Sequence, residues 1–412
     1  MRVLYLCHRM PFPPDKGDKI RAFHQLRALA GRHEVDLFTL ADDPADLVYQ
    51  AALREICHRV TVARIHPRRA RLRSLLHLLS TTPLTIPYFY SAELQREISK
   101  ALAVRSYDRI FVYCSAMAPY VEGLERVPTV IDLVDVDSDK WLQYSRSSRF
   151  PWSAVYSREW RALRRFEKRI SEKAACVLVS TEREARLMSE ISTAARVQVV
   201  PNGVDGEYFS PSGGLPDAAV PTLIFTGDMS YFPNQEAVDY FARQVLPLVQ
   251  ASMPTTRFLI VGRNPGRTVR RLEQMEGVEV TGFVPDIRRQ FARAHVAVAP
   301  FLISAGIPNK ILEAMAFGLP VVATPRGAQG LSPNVAALVR QGNTPDELAA
   351  QVTVLLRDLP RAQLAGLDGR RQVTEDYSWD RALGRLMELV EHPETDRPTE
   401  SQMGPSQRVS TA

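Results

Sequence analysis

"HVAVAPFLISAGIPNKILEAMAFGLPVVATP", residues 295–325, is the stretch on which the fold turns. HVAVAPF is a short apolar run of the length of a buried strand. SAGIPN interrupts it with glycine and proline, an oily helix follows, and Gly318-Leu319-Pro320 ends that helix before the apolar run PVVAT. Strand, glycine-containing turn, helix and strand make up the unit of a parallel α/β sheet, which binds ligands at the carboxyl ends of its strands. The helix start carries chemistry. Pro308 suits the first turn, where its missing N–H is no loss. The remaining N–H groups and the helix dipole form an anion site, to which Lys310 adds a full positive charge. Glu313, one turn on, faces the same ligand from beside the phosphates and suits a ribose diol. Read this way, a sugar diphosphate lies across the helix start. A Lys/Glu pair three residues apart also suits the charged rim of a surface helix, and spacing alone does not separate the two.

The same alternation extends in both directions. RVLYLC (2–7), EVDLFTL, RIFVYC, TVIDLVD, ACVLVST and RVQVVPN read as strands in the first half, with helices near 18–30 and 157–174 among them. Gly213-Gly214, Pro216 and Pro221 then mark a break. Beyond it TLIFTG (222–227), a helix from about Asn234, RFLIVG (257–262), VEVTGF and HVAVAPF restart the pattern. The expectation is an α/β protein of two Rossmann-like doubly wound domains facing a central cleft. Residues 1–200 form the first domain, 201–220 a linker and 221–376 the second. A last amphipathic helix over 377–392 is placed to cross back to the first domain. The polar tail 393–412 is expected to lack fixed structure.

A chain of 412 residues with 45% hydrophobic and 24% charged residues suits two domains with cores of their own. The four cysteines, Cys7, Cys57, Cys114 and Cys176, have no metal or thiol-disulfide spacing and read as buried reduced thiols of a reducing compartment. MRVLYLCHRMPFPP is too short and polar for a signal-peptide core, and no run approaches the ~18 apolar residues of a spanning helix, so a cytoplasmic protein is expected. Residues 1–200 carry 32 Lys and Arg against 23 Asp and Glu, whereas the rest carries 20 against 23. The basic half points to an acidic partner: a phospholipid surface, a phosphorylated lipid carrier or nucleic acid. ARIHPRRARLRSLLHLL (63–79) combines Arg64, Arg68, Arg69, Arg71 and Arg73 with a leucine run. It reads as an amphipathic basic helix on an anionic membrane surface at the inner face of the cytoplasmic membrane, or as a solvated basic face. Nucleic acid is not expected, because aromatic-and-basic platforms for single strands are not apparent. The turn after the first strand, HRMPFPPDKGDK, is not G-x-G-x-x-G, which disfavours a nicotinamide dehydrogenase.

The stretch GIPNKILEAMAFGLPVVATPRGAQGL resembles the nucleotide-binding signature of retaining GT-B glycosyltransferases of family 4 (group 1). GDMSYFPNQEAVDYF (227–241), LIVGRNPG (259–266) and VEVTGFVPDIRRQF (278–291) precede it in the order of that family, and PNGVD (201–205) resembles the family's approach to its second domain. PFPPDKGDKIRAFHQL and VIDLVDVDSDKW (130–141) look closest to the sugar transferases associated with PEP-CTERM/exosortase exopolysaccharide loci. The resemblance implies that Glu313, the second glutamate of E-x7-E, binds ribose hydroxyls. It places the backbone of Gly306, Ile307, Pro308, Asn309 and Lys310, with Gly227, around the diphosphate, and Phe283 and Val284 against the base. Gly17 matches the glycine loop that faces donor phosphate and acceptor, and Lys16, Asp18 and Lys19 flank it; Asp18 also suits a helix N-cap.

Two departures stand out. Position 305, where the first glutamate of E-x7-E would meet the transferred sugar, is Ala305. GDMSYFPNQEA also lacks the Arg…Lys pair with which relatives clamp the diphosphate, leaving Lys310 and Arg263 as substitutes. Asp135 and Asp137 follow a strand and suit either an acceptor cleft or a solvated acidic loop. His8, at the end of the first strand, suits an acceptor or phosphate contact as well as a structural role. The expected activity is metal-independent retaining transfer of a sugar from a nucleoside-diphosphate-sugar, with no cofactor, to a polysaccharide or lipid-linked acceptor. Such transfer needs alignment and neutralisation of the departing diphosphate rather than a strong base. A nucleotide-sugar 2-epimerase and a non-catalytic nucleotide-sugar-binding protein share the architecture.

Overall fold

The computed structural model describes residues 1–124, 126–211, 220–304 and 306–393. Ala305 and the tail 394–412 lie outside the described residues, as do residues 212–219 of the expected linker. The first sheet holds β1 (Arg2–Cys7), β2 (Glu34–Ala41), β3 (Arg59–Arg64), β4 (Arg109–Tyr113), β5 (Thr129–Val134), β6 (Cys176–Val179) and β7 (Val197–Val199). The second holds β8 (Thr222–Thr226), β9 (Arg257–Val261), β10 (Val278–Gly282), β11 (Val296–Ala299), β12 (Val321–Ala323) and β13 (Arg340–Gln341). Every pairing is parallel. Helices cover both faces, which is why the central strands are almost wholly apolar.

The orders are β3-β2-β1-β4-β5-β6-β7 and β10-β9-β8-β11-β12-β13. In each sheet the chain starts at the centre, walks to one edge, and returns to build the other side. The strand order therefore reverses between β1 and β4, and between β8 and β11. The connections diverge at those points and leave a crevice beyond the carboxyl ends of the strands. The two-domain α/β architecture is the expected one.

Local differences have local causes. β3, RVTVAR, is absent from the sequence reading because it alternates polar and apolar residues at a half-exposed edge. It also claims Arg64, so the basic helix is Pro67–Leu76 alone. Only Ala70 and Ser74 of that helix are buried; Leu72, Leu75 and Leu76 are exposed along with Arg68, Arg69 and Arg71. It is not an amphipathic helix with a buried apolar face. The first long helix runs Gly17–Ala30 with Lys16, not Asp18, at the N-cap; Asp18 lies inside the first turn. The helix expected from about Asn234 starts at Phe232, with Pro233 in its first turn.

The last helix, Trp379–Glu391, packs Leu386, Met387, Leu389 and Val390 into the core of the first domain beside Val3, Tyr5 and Leu26. Arg109 donates from Nε to the Val390 carbonyl (2.9 Å) and from Nη2 to that of Glu391 (3.0 Å), satisfying carbonyls that the helix end leaves open. The Trp379 indole stacks on His24 at 4.0 Å. Where the chain crosses back, Val204 pairs with Ser378, and the Val204 N–H donates to the Tyr377 carbonyl at 2.7 Å.

Candidate functional site

β11 delivers the chain to the crevice of the second domain, and the helix Asn309–Ala316 leaves from it. Gly306 has φ 60°, a left-handed conformation open to glycine at little cost. Pro308 is the N-cap, and among the described residues no side chain caps the helix, so its first N–H groups have no side-chain partner. Ile311, Leu312 and Met315 anchor the helix in the core, which turns Lys310 and Glu313, both half-buried, toward the crevice.

Lys310 Nζ donates to Asn234 Oδ1 at 2.6 Å and lies 4.4 Å and 4.7 Å from the ring centres of Phe225 and Phe301. Two aromatic faces hold an ammonium group that, among the described residues, has no carboxylate within ion-pair distance. Burial pushes Lys310 down to about 7, against the charges of Glu313 and Asp228. Burial pushes Glu313 up to about 7, against the charge of Lys310. Gly227, just past β8, makes room: a Cβ there would stand 2.7 Å from Asn234 Nδ2 and 2.8 Å from Lys310 Nζ.

The first domain forms the facing wall. Asn202 Nδ2 donates to Asn309 Oδ1 at 2.8 Å, and Asn202 Oδ1 accepts from Arg21 Nη1 at 3.0 Å. Arg21, 1% exposed, pairs at 2.8 Å with the fully buried Asp132. A polar chain thus runs from inside the first domain to the first residue of the helix Asn309–Ala316. Gly17 lies against the same Asn309. Asp135 packs its carboxylate on Gly306, so closely that a Cβ on Gly306 would collide with it. Ser180 Oγ donates to Asp135 Oδ1 at 3.0 Å. Burial raises Asp135, and burial together with the Asp135 charge pushes Glu184 up to about 7. Glu167, pushed up to about 8 by burial, accepts the Ser138 N–H at 3.0 Å.

Gly17, Asp135, Gly227, Gly306, Ile307, Pro308, Asn309, Lys310 and Glu313 are therefore gathered around one crevice. Other candidates stand elsewhere. Lys19, 3% exposed, is paired with Asp46 at 2.8 Å beneath the loop rather than on its phosphate-facing side. Asp18 sits 2.8 Å from Arg9 and 3.5 Å from His8; burial opposes its ionisation, but the hydrogen bond and charge of His8 and the charge of Arg9 hold it well below the usual carboxylate range. His8 is buried between Phe89 and Tyr113. Lys16 is half-buried at the N-cap of the Gly17–Ala30 helix. Asp137 pairs with Lys140 at 2.8 Å. Arg263 reaches across the cleft to Asp15 (2.8 Å) instead of toward Lys310. Phe283 is exposed, and Val284 packs against the second core. Asn234, Asn202, Arg21 and Ser180 were not singled out from sequence. Among the described residues one trio, Glu34, Asp36 and His58, brings its ligand atoms within 4.8 Å. The Arg105 guanidinium, 3.1 Å from each of the three, already supplies the positive charge.

This arrangement, two facing doubly wound parallel-sheet domains with an uncapped helix start between them, is the GT-B architecture. Residues 19–203 match the glycosyl transferase 4-like domain and residues 220–358 match glycosyl transferases group 1. The two matches follow one another along the chain in the order in which the two domains are built. The chain is 29% identical over 252 residues to the GDP-mannose-dependent alpha-(1-6)-phosphatidylinositol monomannoside mannosyltransferase of Mycolicibacterium smegmatis, a match over 54% of this chain and 64% of that one. For the Mycobacterium tuberculosis counterpart the identity is 26%, and the match spans 60% of that relative's length. Among solved structures, sucrose-phosphate synthase from Thermosynechococcus elongatus superposes with a TM-score of 0.71 at 20% identity, covering 95% of this chain and 99% of that one. Anabaena HepE in complex with UDP and glucose gives 0.67 at 16% identity, over 95% and 99%. At these identities the structural likeness speaks for the fold alone. Among the described residues no helix is long and apolar enough to cross a membrane.

Proposed function

We propose that the protein is a retaining glycosyltransferase that moves a sugar from a nucleoside-diphosphate-sugar to a lipid-linked exopolysaccharide precursor. The observation that carries this reading is Lys310: a cation boxed by Phe225, Phe301 and Asn234 beside an uncapped helix start, with Glu313 one turn away. The diphosphate binds the helix start and Lys310, and Glu313 accepts the ribose hydroxyls. As the bond to the sugar breaks, charge grows on the departing phosphate oxygen. The helix dipole and Lys310 are already oriented to meet it, without a metal or other cofactor. The mycobacterial relative's name, with a GDP-mannose donor and a phosphatidylinositol-linked acceptor, supports a sugar donor and a lipid-linked acceptor. VIDLVDVDSDKW and PFPPDKGDK support the exopolysaccharide assignment. The exposed leucines and arginines of the helix Pro67–Leu76 favour peripheral contact with an anionic membrane surface at the inner face of the cytoplasmic membrane.

Calorimetric titration with UDP, GDP and ADP tests the donor site. One diphosphate is expected to bind, and Lys310→Ala and Glu313→Ala each to weaken it by about 1–3 kcal/mol. No binding, or variants that bind like wild type, would sink the assignment. Product analysis without acceptor separates the transferase from a 2-epimerase, which would turn the donor over alone.

A further inference from the structure

The donor reading assigns ribose and diphosphate to the second domain but leaves the sugar without a carboxylate there, since position 305 is alanine. A nucleotide-sugar is linear: ribose, two phosphates, sugar. With ribose at Glu313 and the phosphates at Ile307 to Lys310, the sugar continues past Gly306 toward the first domain. The carboxylate that meets Gly306 is that of Asp135.

Several features suit it to receive a ligand. Asp135 follows β5 in a tight three-residue turn, its N–H donating to the Leu133 carbonyl at 2.8 Å. The central residue of that turn, Val134, has φ 66°, a conformation that a β-branched side chain adopts only under strain. The strain aims Asp135 out of the sheet and across the cleft. Ser180 fixes Oδ1 at 3.0 Å, whereas Oδ2 takes no hydrogen bond among the described residues. The neighbouring acids Asp137 and Asp139 are by contrast committed to Lys140 and Arg183, at 2.8 Å and 2.7 Å. One acceptor atom is thus held at the rim of the donor crevice without a protein partner.

We infer that Asp135 accepts hydrogen bonds from hydroxyls of the transferred sugar, so that the donor sugar is read by the first domain across the cleft. This rests on the donor site proposed above. It places Asp135 on the donor's sugar rather than on the acceptor, and makes sugar choice a property of the loop after β5.

The test is calorimetric titration of the full chain and its Asp135→Asn and Asp135→Ala variants. The ligands are UDP, GDP and ADP and the corresponding UDP-glucose, GDP-mannose and ADP-glucose. For whichever base binds, both variants should hold the free diphosphate within about twofold of wild type, because no sugar reaches the carboxylate. They should bind the nucleotide-sugar about tenfold more weakly, the loss expected of a charge-assisted hydrogen bond. Asparagine keeps the volume against Gly306, so a folding defect confined to alanine is recognised by the asparagine result. Equal weakening of diphosphate and nucleotide-sugar would overturn the inference and make Asp135 a cleft-closing residue, as would no change in either. If wild type binds none of the diphosphates, the donor site itself falls and the inference with it. Wild-type binding with no sugar-specific loss overturns the inference alone.

Discussion

Arg21→Met cuts the polar chain that reaches the donor helix, and its cost can be worked from the structure. Arg21 is 1% exposed and Asp132 is fully buried, with Nε and Oδ2 2.8 Å apart. Removing one member of a buried pair leaves an uncompensated charge and costs about 3–5 kcal/mol. Asp132 keeps two other donors, Gln25 Nε2 at 2.6 Å and the Val134 N–H at 2.9 Å, so the low end applies, about 3 kcal/mol. Asp132→Asn strands the guanidinium instead, with Asn202 as its remaining partner. Combining the two leaves no buried charge, so the losses should not add; the double-mutant cycle should return a coupling of about 2–3 kcal/mol. Hydrogen exchange of β5 and the Gly17–Ala30 helix, with denaturant titration, reads the cost in the first domain. Additive single losses, or an Arg21→Met penalty below about 1 kcal/mol, would refute a buried, coupled pair. Asn202→Ala separates the two roles of the chain: it should spare most of the stability and weaken diphosphate binding through Asn309.

Leu386→Ala should destabilise the first domain by about 2–5 kcal/mol while leaving exchange in the second domain unchanged, since Leu386 is fully buried in the first core. Diphosphate affinity should peak near pH 7. Lys310, pushed down to about 7, must be protonated to hold the anion, so affinity falls as pH rises through that value. Glu313, pushed up to about 7, must be ionised to accept the ribose hydroxyls, so affinity falls as pH drops below it. Calorimetry from pH 5.5 to 9 should show the alkaline limb lost in Lys310→Ala and the acid limb reduced in Glu313→Gln; the limbs persisting in both would refute these assignments. Replacing Leu72, Leu75, Leu76 and Leu79 by serine should abolish co-sedimentation with anionic phospholipid vesicles without altering diphosphate affinity; unchanged sedimentation would refute membrane contact there.

What could be read in the sequence was what is encoded locally. Parallel strands buried on both faces appear as apolar runs, and those of β1, β4, β5, β6, β8, β9 and β11 were legible for that reason. β3 was not, because an edge strand needs only one apolar face. The start of the helix Asn309–Ala316 was legible because glycine and proline directly precede an apolar-periodic run. Its partners were not: Arg21 meets Asn202 across 181 positions, and Asn202 meets Asn309 across 107. Lys19 shows the converse error, a lysine beside a glycine loop that the fold turns inward onto Asp46. Arg263 was expected at the diphosphate because it follows β9 at the crevice; the side chain instead finds a carboxylate on the facing domain.

The two passages of chain between the domains run side by side, at Val204 and at Tyr377-Ser378, joined by one bridge and one 2.7 Å hydrogen bond. Gly203 leaves no room for a side chain beneath Trp379, so both passages are pressed against the first domain at a single place. Side-chain contacts hold the domains together across the cleft, among them Arg263 to Asp15 at 2.8 Å, Gln143 to the Ser304 carbonyl at 3.2 Å, Arg326 to Gln143 at 2.9 Å, Asn202 to Asn309 at 2.8 Å, and Asp135 on Gly306. The ion pair is partly exposed and worth about 0–1 kcal/mol, and a neutral hydrogen bond about 1 kcal/mol. Asp135 on Gly306 and Asn202 on Asn309 are the two places where the first domain meets the start of the helix Asn309–Ala316.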